Sequence, residues 1–234
     1  MAGRTGNAVT KVEIETDLQS RIESIAARLF ITHGYNGVSY LDIARELGIS
    51  HSNIHYYFRT KPLLANAVLV SVTKETLAAM EGVWAEREAS LFDKFVAMRG
   101  WAHEQYLQFN PGGKGGRLWG LLARFSMDAD SLTDEMRRLI RATLRKIEEH
   151  IAAGIQATVD NGELRAEAPV DGITLQIASL ISATGQVTRF AASFDRLDDL
   201  LRWTYQGIAL AYGAPGRAPR EWPALPGRKA GASA

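Results

Sequence analysis

Residues Ser39–Lys61 read SYLDIARELGISHSNIHYYFRTK, and this stretch decides the fold. Ser39 is a good N-cap, and Asp42 stands at the third helical position, near the positive end of the helix dipole. The segment Tyr40–Leu47 is therefore expected to be a short helix. Gly48 supplies a turn, Ser50 caps a second short helix over His51–Tyr57, and Thr60 caps a longer one whose first turn holds Pro62, where a missing N–H costs little. Two short helices around a glycine turn form a helix-turn-helix. The second helix opens with His51, Ser52 and Asn53, small polar and imidazole side chains suited to base edges in a major groove.

Outward from this stretch, nearly everything reads as helix. Thr16 with Gln19 forms a capping box, and Ile22, Ile25, Ala26, Leu29 and Phe30 then repeat at helical spacing up to Gly34, a left-handed C-cap. After the helix-turn-helix, the pattern predicts a long helix to about Arg87, a break at Ala89-Ser90, and a helix from Leu91 to Phe109. Asn110–Gly116 is expected to be a mobile loop, Leu118–Phe125 a short apolar helix, and Ser131 the cap of a long helix ending at Asp160-Asn161-Gly162. Two more helices are expected at about 171–192 and 196–212. The tail from Gly213, with Pro215, Pro219, Pro223 and Pro226, is expected to be disordered. The expected division is a flexible arm at 1–15, a three-helix head at 16–62, a larger helical domain at 63–213 and the tail at 214–234. The fold class is all-α.

Composition narrows the function. With 46% apolar residues in 234, the chain can bury a sizeable core. Cys is absent, which excludes disulfides, thiolate metal sites and a cysteine nucleophile, and suits a cytoplasmic location. No apolar run approaches the roughly 20 residues that span a bilayer, so no membrane partner is expected. The formal net charge is only +1. Up to Pro62, Arg4, Lys11, Arg21, Arg28, Arg45, Arg59 and Lys61 barely outnumber Glu13, Glu15, Asp17, Glu23, Asp42 and Glu46. A basic footprint for DNA must come from placement rather than excess.

The stretch Arg21–Leu69 resembles the N-terminal domain of the tetracycline-repressor (TetR) family of bacterial transcriptional regulators. The matching residues are Ala26–Phe30, Gly34-Tyr35, Val38-Ser39, Ile43-Ala44, Leu47–Ser50, Ile54–Phe58 and Thr60-Lys61. Two positions depart from the family's habit: His55 stands where tyrosine is usual, and Pro62 where a polar residue is usual. The resemblance implies an all-helical homodimer of about nine helices per subunit, acting as a repressor rather than an activator. It also implies release from a pseudo-palindromic operator when a small molecule binds. The expected DNA contacts are Ser39, Tyr40, Ser50, His51, Ser52, Asn53, His55, Tyr56, Tyr57 and Lys61, with His51, Ser52 and Asn53 toward bases and Tyr56, Tyr57 and Lys61 toward phosphates.

In this family effectors bind between the central helices. Trp84, Phe95, Met98, Trp101, Tyr106, Trp119 and Phe125 are the expected lining, suiting an apolar or aromatic effector. The last two helices mix small residues (Ser179, Ser182, Ala183, Gly185, Ala191) with more apolar area than one face needs (Leu197, Leu200, Leu201, Trp203, Ile208, Leu210). That pattern fits the family's dimer bundle. His51 and His55 have the spacing of a metal pair but no acid in the catalytic position. The GGKGG loop lacks the strand and the Gly-Lys-Ser/Thr ending of a phosphate loop. His103-Glu104 and the pair Arg124 and Asp128 read as ordinary polar partners. Neither a cofactor nor an enzyme activity is expected. The competing readings are a DNA-binding dimer without effector and, behind it, an enzyme.

Overall fold

The computed structural model describes residues 6–225, with side chains from residue 17 onward. Among the described residues the chain forms nine α-helices: α1 (Gly6–His33), α2 (Tyr40–Leu47), α3 (His51–Tyr57), α4 (Lys61–Trp84), α5 (Leu91–Phe109), α6 (Leu121–Met127), α7 (Asp134–Asp160), α8 (Val170–Ala191) and α9 (Asp195–Tyr212). Helices α1–α3 form the head. Its core is Ile22, Ala26, Phe30, Ile43 and Ile54, closed from below by Leu64 and Ala65 of α4. Helix α4 leaves the head and runs through the larger body along α7.

The turn geometry follows from the sequence. Gly34 and Gly48 adopt φ of +79° and +65°, the left-handed conformation that other residues resist, and so end α1 and α2. The Ser39 hydroxyl accepts from the Asp42 amide while the Asp42 carboxylate accepts from the Ser39 amide, a reciprocal capping box. That carboxyl is held below its ordinary pKa, chiefly by the Ser39 hydroxyl. A depressed value stabilises the fold above the ordinary carboxylate pKa, and the contribution is lost as pH falls through the lowered value. Helix α4 ends where the buried Lys94 ammonium bonds the Trp84 and Glu86 carbonyls, satisfying acceptors the helix leaves open. Burial lowers the Lys94 pKa.

Several expectations are corrected. Helix α1 is already helical from Gly6, so Thr16 lies inside it and starts nothing; residues 1–5 of the expected arm lie outside the described residues. The cap of α7 is Thr133, whose hydroxyl accepts from Met136 N, and Ser131 belongs to a preceding 3-10 turn. Leu118 and Trp119 lie outside any helix, and α6 begins only at Leu121. The glycine-rich loop is tied down rather than mobile. The Asn110 side chain bonds the Arg117 amide and carbonyl, and the Tyr106 hydroxyl donates to the Gly115 carbonyl (2.9 Å). By length and composition α4 is apolar enough to cross a membrane, contrary to the sequence reading. Its Leu64, Val68, Leu69, Met80 and Trp84 are nevertheless packed in protein core.

The tail is corrected as well. Up to Leu225 it straps across α5 and α9. Arg220 N–H donates to the Tyr205 hydroxyl (2.8 Å), its guanidinium meets Asp93 (2.9 Å), and Trp222 stacks on Tyr205. Leu225 is buried. Trp222 and Leu225 supply apolar area that outweighs the proline and glycine content. Residues 226–234 lie outside the described residues.

Candidate nucleic-acid interface and effector cavity

Helix α3 is anchored by one face and open on the others. Ile54 and Phe58 are buried, while His51, Ser52, Asn53, His55 and Tyr56 are exposed. Ser50 caps α3 by accepting from Asn53 N, and its hydroxyl donates to Asn53 Oδ1 (3.0 Å). The Asn53 side-chain oxygen is thus engaged at the N-terminal end of the helix while the residue stays exposed. Tyr56 is 72% exposed and packs edge-on against half-buried Tyr57 at 5.1 Å.

A second group gathers beside this face. Ser39, His51, His55 and Lys61 line a shallow concavity together with Tyr40 and Asp42. The two imidazoles meet edge to face at 4.5 Å. Lys61 Nζ lies 4.5 Å from the Tyr35 ring centroid, and partial burial lowers its pKa. Thr60 occupies the N-cap of α4 but makes no side-chain capping bond, which leaves the first amides of that helix open to an anion. The concavity groups His51, expected to face a base, with Ser39, His55 and Lys61, whereas Ser52 and Asn53 stand outside it. Tyr40 is a correction: it is 7% exposed and its hydroxyl donates to the Phe58 carbonyl (2.9 Å). Burial, with Tyr35 nearby, pushes its pKa up to about 12. It joins α2 to α3 from inside and offers no hydroxyl to DNA.

The body holds a cavity of about 840 Å³. Of the seven expected lining residues only Trp101 and Trp119 face it. Trp84, Phe95, Met98, Tyr106 and Phe125 are all at most 1% exposed and are plain core. The walls also come from places the sequence reading missed. Helix α1 contributes Glu23, Ala27, Arg28 and Ile31; α4 contributes Val72 and Glu75; α6 contributes Leu122, Ser126 and Met127. Polar groups, among them Gln105, Gln108 and Gln186, are interleaved with apolar ones, so the lining is more polar than expected.

Two links join cavity to head. Arg28, on the cavity wall, bonds Glu46 of α2 at 2.7 Å. On the far side of α6, Arg124 and Asp128 pair at 3.3 Å, and Asp128 Oδ2 accepts from the Tyr35 amide at 2.8 Å. The pair sits so close to the turn that a Cβ on Gly34 would lie 2.1 Å from Arg124 Nη2. Tyr35 in turn packs against Phe125 and carries Lys61 over its ring. Asp128→Ala should remove the acceptor of the Tyr35 N–H, and amide exchange at Tyr35 should rise about tenfold. Unchanged exchange there would show that the clasp holds nothing.

The sequence profile described as "Bacterial regulatory proteins, tetR family" matches residues 23–68, the head and the start of α4. The head is a TetR-family head. Solved structures agree on the fold. A TetR-family transcriptional regulator from Agrobacterium tumefaciens superposes with TM-score 0.73 at 16% identity, over 86% of this chain and 100% of the other. The reduced form of Escherichia coli NemR gives 0.68 at 14%, with the same coverage. A TetR transcriptional regulator from Legionella pneumophila gives 0.65 at 23%, over 80% and 95%. No curated protein matches the chain significantly in sequence. A TetR-family head of this kind makes the protein a DNA-binding transcriptional regulator.

Proposed function

We propose that the protein is a cytoplasmic, ligand-responsive repressor that binds a pseudo-palindromic operator as a homodimer and releases it when a small molecule occupies the cavity. The observation that carries this reading is the wall contributed by α1. A molecule in the cavity touches the reading head's own first helix, as well as α4 and α6, which run to the head. A regulator without effector would be expected to fill that space with its own side chains, and about 840 Å³ stands open. The enzyme reading draws no support from the lining. Its ionisable groups are Glu23, Arg28 and Glu75, and Arg28 already pairs with Glu46. Among the described residues no histidine lines the cavity to act as a base at neutral pH.

Effector contacts act by favouring one arrangement of α1, α4 and α6 over another, so a ligand must discriminate between the two arrangements to have any effect. Ser52 and Asn53 read bases, while Lys61, His51, His55, Ser39 and Tyr56 hold the backbone. Lys61→Ala should weaken binding to every duplex sequence and reduce the salt slope by about one. Asn53→Ala should cost about 1–3 kcal/mol and relax choice at one base position per half-site. Binding isotherms across a salt series separate the two effects. Identical isotherms for wild type and both variants would remove α3 from the interface.

A further inference from the structure

We infer that the cavity selects a lipophilic organic cation. This deepens the effector reading above and rests on it. Trp101 and Trp119, both at the cavity's edge, meet edge to face at 6.4 Å and 71°. The Trp119 N–H is spent on the Thr188 hydroxyl (2.9 Å), inside the core, and Trp119 is only 3% exposed, so half-buried Trp101, packed against it, is the indole whose ring the cavity meets. Such rings attract cations through the negative face of the π system.

The charges on the walls point the same way. Arg28, the sole cation among the described lining residues, is answered by Glu46, which is not part of the lining. Glu23 and Glu75 are not answered. The first accepts from the neutral Gln19 amide (3.1 Å) and the second from the Ser71 hydroxyl (3.4 Å). Neither has an ion-pair partner among the described residues. They stand on α1 and α4, helices that pack against each other, so two uncompensated carboxylates share one side of the cavity while the indoles come from α5 and the segment before α6. An anion would meet repulsion from that wall, and a neutral aromatic would leave both charges unused. A flat or globular aromatic body bearing one diffuse positive charge engages both features.

The test uses the full chain without DNA and three probes of similar aromatic bulk: tetraphenylphosphonium, tetraphenylborate and neutral triphenylphosphine oxide. Isothermal titration is expected to give a phosphonium affinity at least about tenfold above that of the borate. The double variant E23Q/E75Q should lower phosphonium affinity about tenfold and leave the oxide unchanged. Both positions are at least partly exposed, so the substitutions leave the core intact. If the borate or the oxide binds as tightly as the phosphonium, the cavity is a ligand site without charge selection, and this inference fails while the effector reading stands. Phosphonium binding that is indifferent to E23Q/E75Q overturns it in the same way. If none of the three binds, both fall together.

Discussion

Asp198→Ala is expected to lower the unfolding free energy by about 3–5 kcal/mol, the cost of stripping the partner from a buried charge. Arg99 Nε lies 2.7 Å from Asp198 Oδ1, with side chains only 5% and 7% exposed. The same carboxylate oxygen accepts from the Trp222 indole N–H at 2.9 Å, and the Trp222 ring covers the Arg99 guanidinium at 5.4 Å. Removing the carboxylate leaves Arg99 charged, dehydrated and unpaired, and it unfastens the strap from α9. Asp198→Asn keeps the shape and an acceptor for Trp222 but not the charge, so it should cost nearly as much. The double change Arg99→Met with Asp198→Leu removes both charges and should be far milder than either single change. Urea unfolding reads the difference as a shift in midpoint at constant slope. A loss below about 1 kcal/mol for Asp198→Ala would mean that water reaches the pair and solvates it.

The second large effect is expected on assembly. Leu175 and Phe190 of α8, with Trp203 and Leu210 of α9, are 64%, 89%, 63% and 73% exposed. On α9 the exposed residues Leu200, Trp203, Gly207 and Leu210 recur at intervals of three and four, one continuous stripe. On α8, Ser179 and Ser182 lie along the face that begins at Leu175, small enough for close helix approach. A patch of this kind on a folded chain marks an interface. The double change Trp203→Asp and Leu210→Asp should yield a folded monomer by sedimentation. Operator affinity should fall by about 10²–10⁴, because the two heads no longer reinforce each other. A wild-type chain that already sediments as a monomer, or a variant that keeps full operator affinity, would contradict the assignment.

The head was legible in sequence because its determinants are local. A left-handed glycine, a serine cap and an aspartate three residues on specify Tyr40–Leu47 without reference to anything distant. The same locality misled elsewhere. Thr16 and Gln19 satisfy a capping pattern that a longer helix simply runs through, and Ser131 and Thr133 offer rival caps two residues apart. The tail was misjudged because its order comes from long-range bonds to Tyr205 and Asp93, and the Asn110–Gly116 loop because the Tyr106 and Asn110 side chains and the Ala192 carbonyl tie it down, none of which composition encodes. Gly185 was read as a small residue for the dimer face. In the structure it faces inward, where a Cβ would stand 2.7 Å from the Trp119 carbonyl.

The cavity was half legible. On α5, Phe95, Met98, Ala102 and Tyr106 share one face and form core, while Trp101, Gln105, Gln108 and Phe109 share the other and line the cavity. Residue size alone does not separate the two sets. Their neighbours at helical spacing do, since the core face is nearly uniform and the cavity face mixes aromatic rings with amides. The contribution of α1 had no comparable signal. It depends on where the head docks on the body, and that is fixed by Asp128, Arg124 and the Gly34 turn.

The central claim is that α3 presents Ser52 and Asn53 to duplex DNA twice per assembly. Selection of binding sites from a random duplex pool by the full chain, at low salt, tests it most directly. The expected product is an inverted repeat whose half-site centres lie about 34–36 Å apart, or a multiple of that, with one position per half-site relaxed when Asn53→Ala is used instead. Enrichment of an asymmetric site, or of the same repeat unaltered by Asn53→Ala, would contradict it.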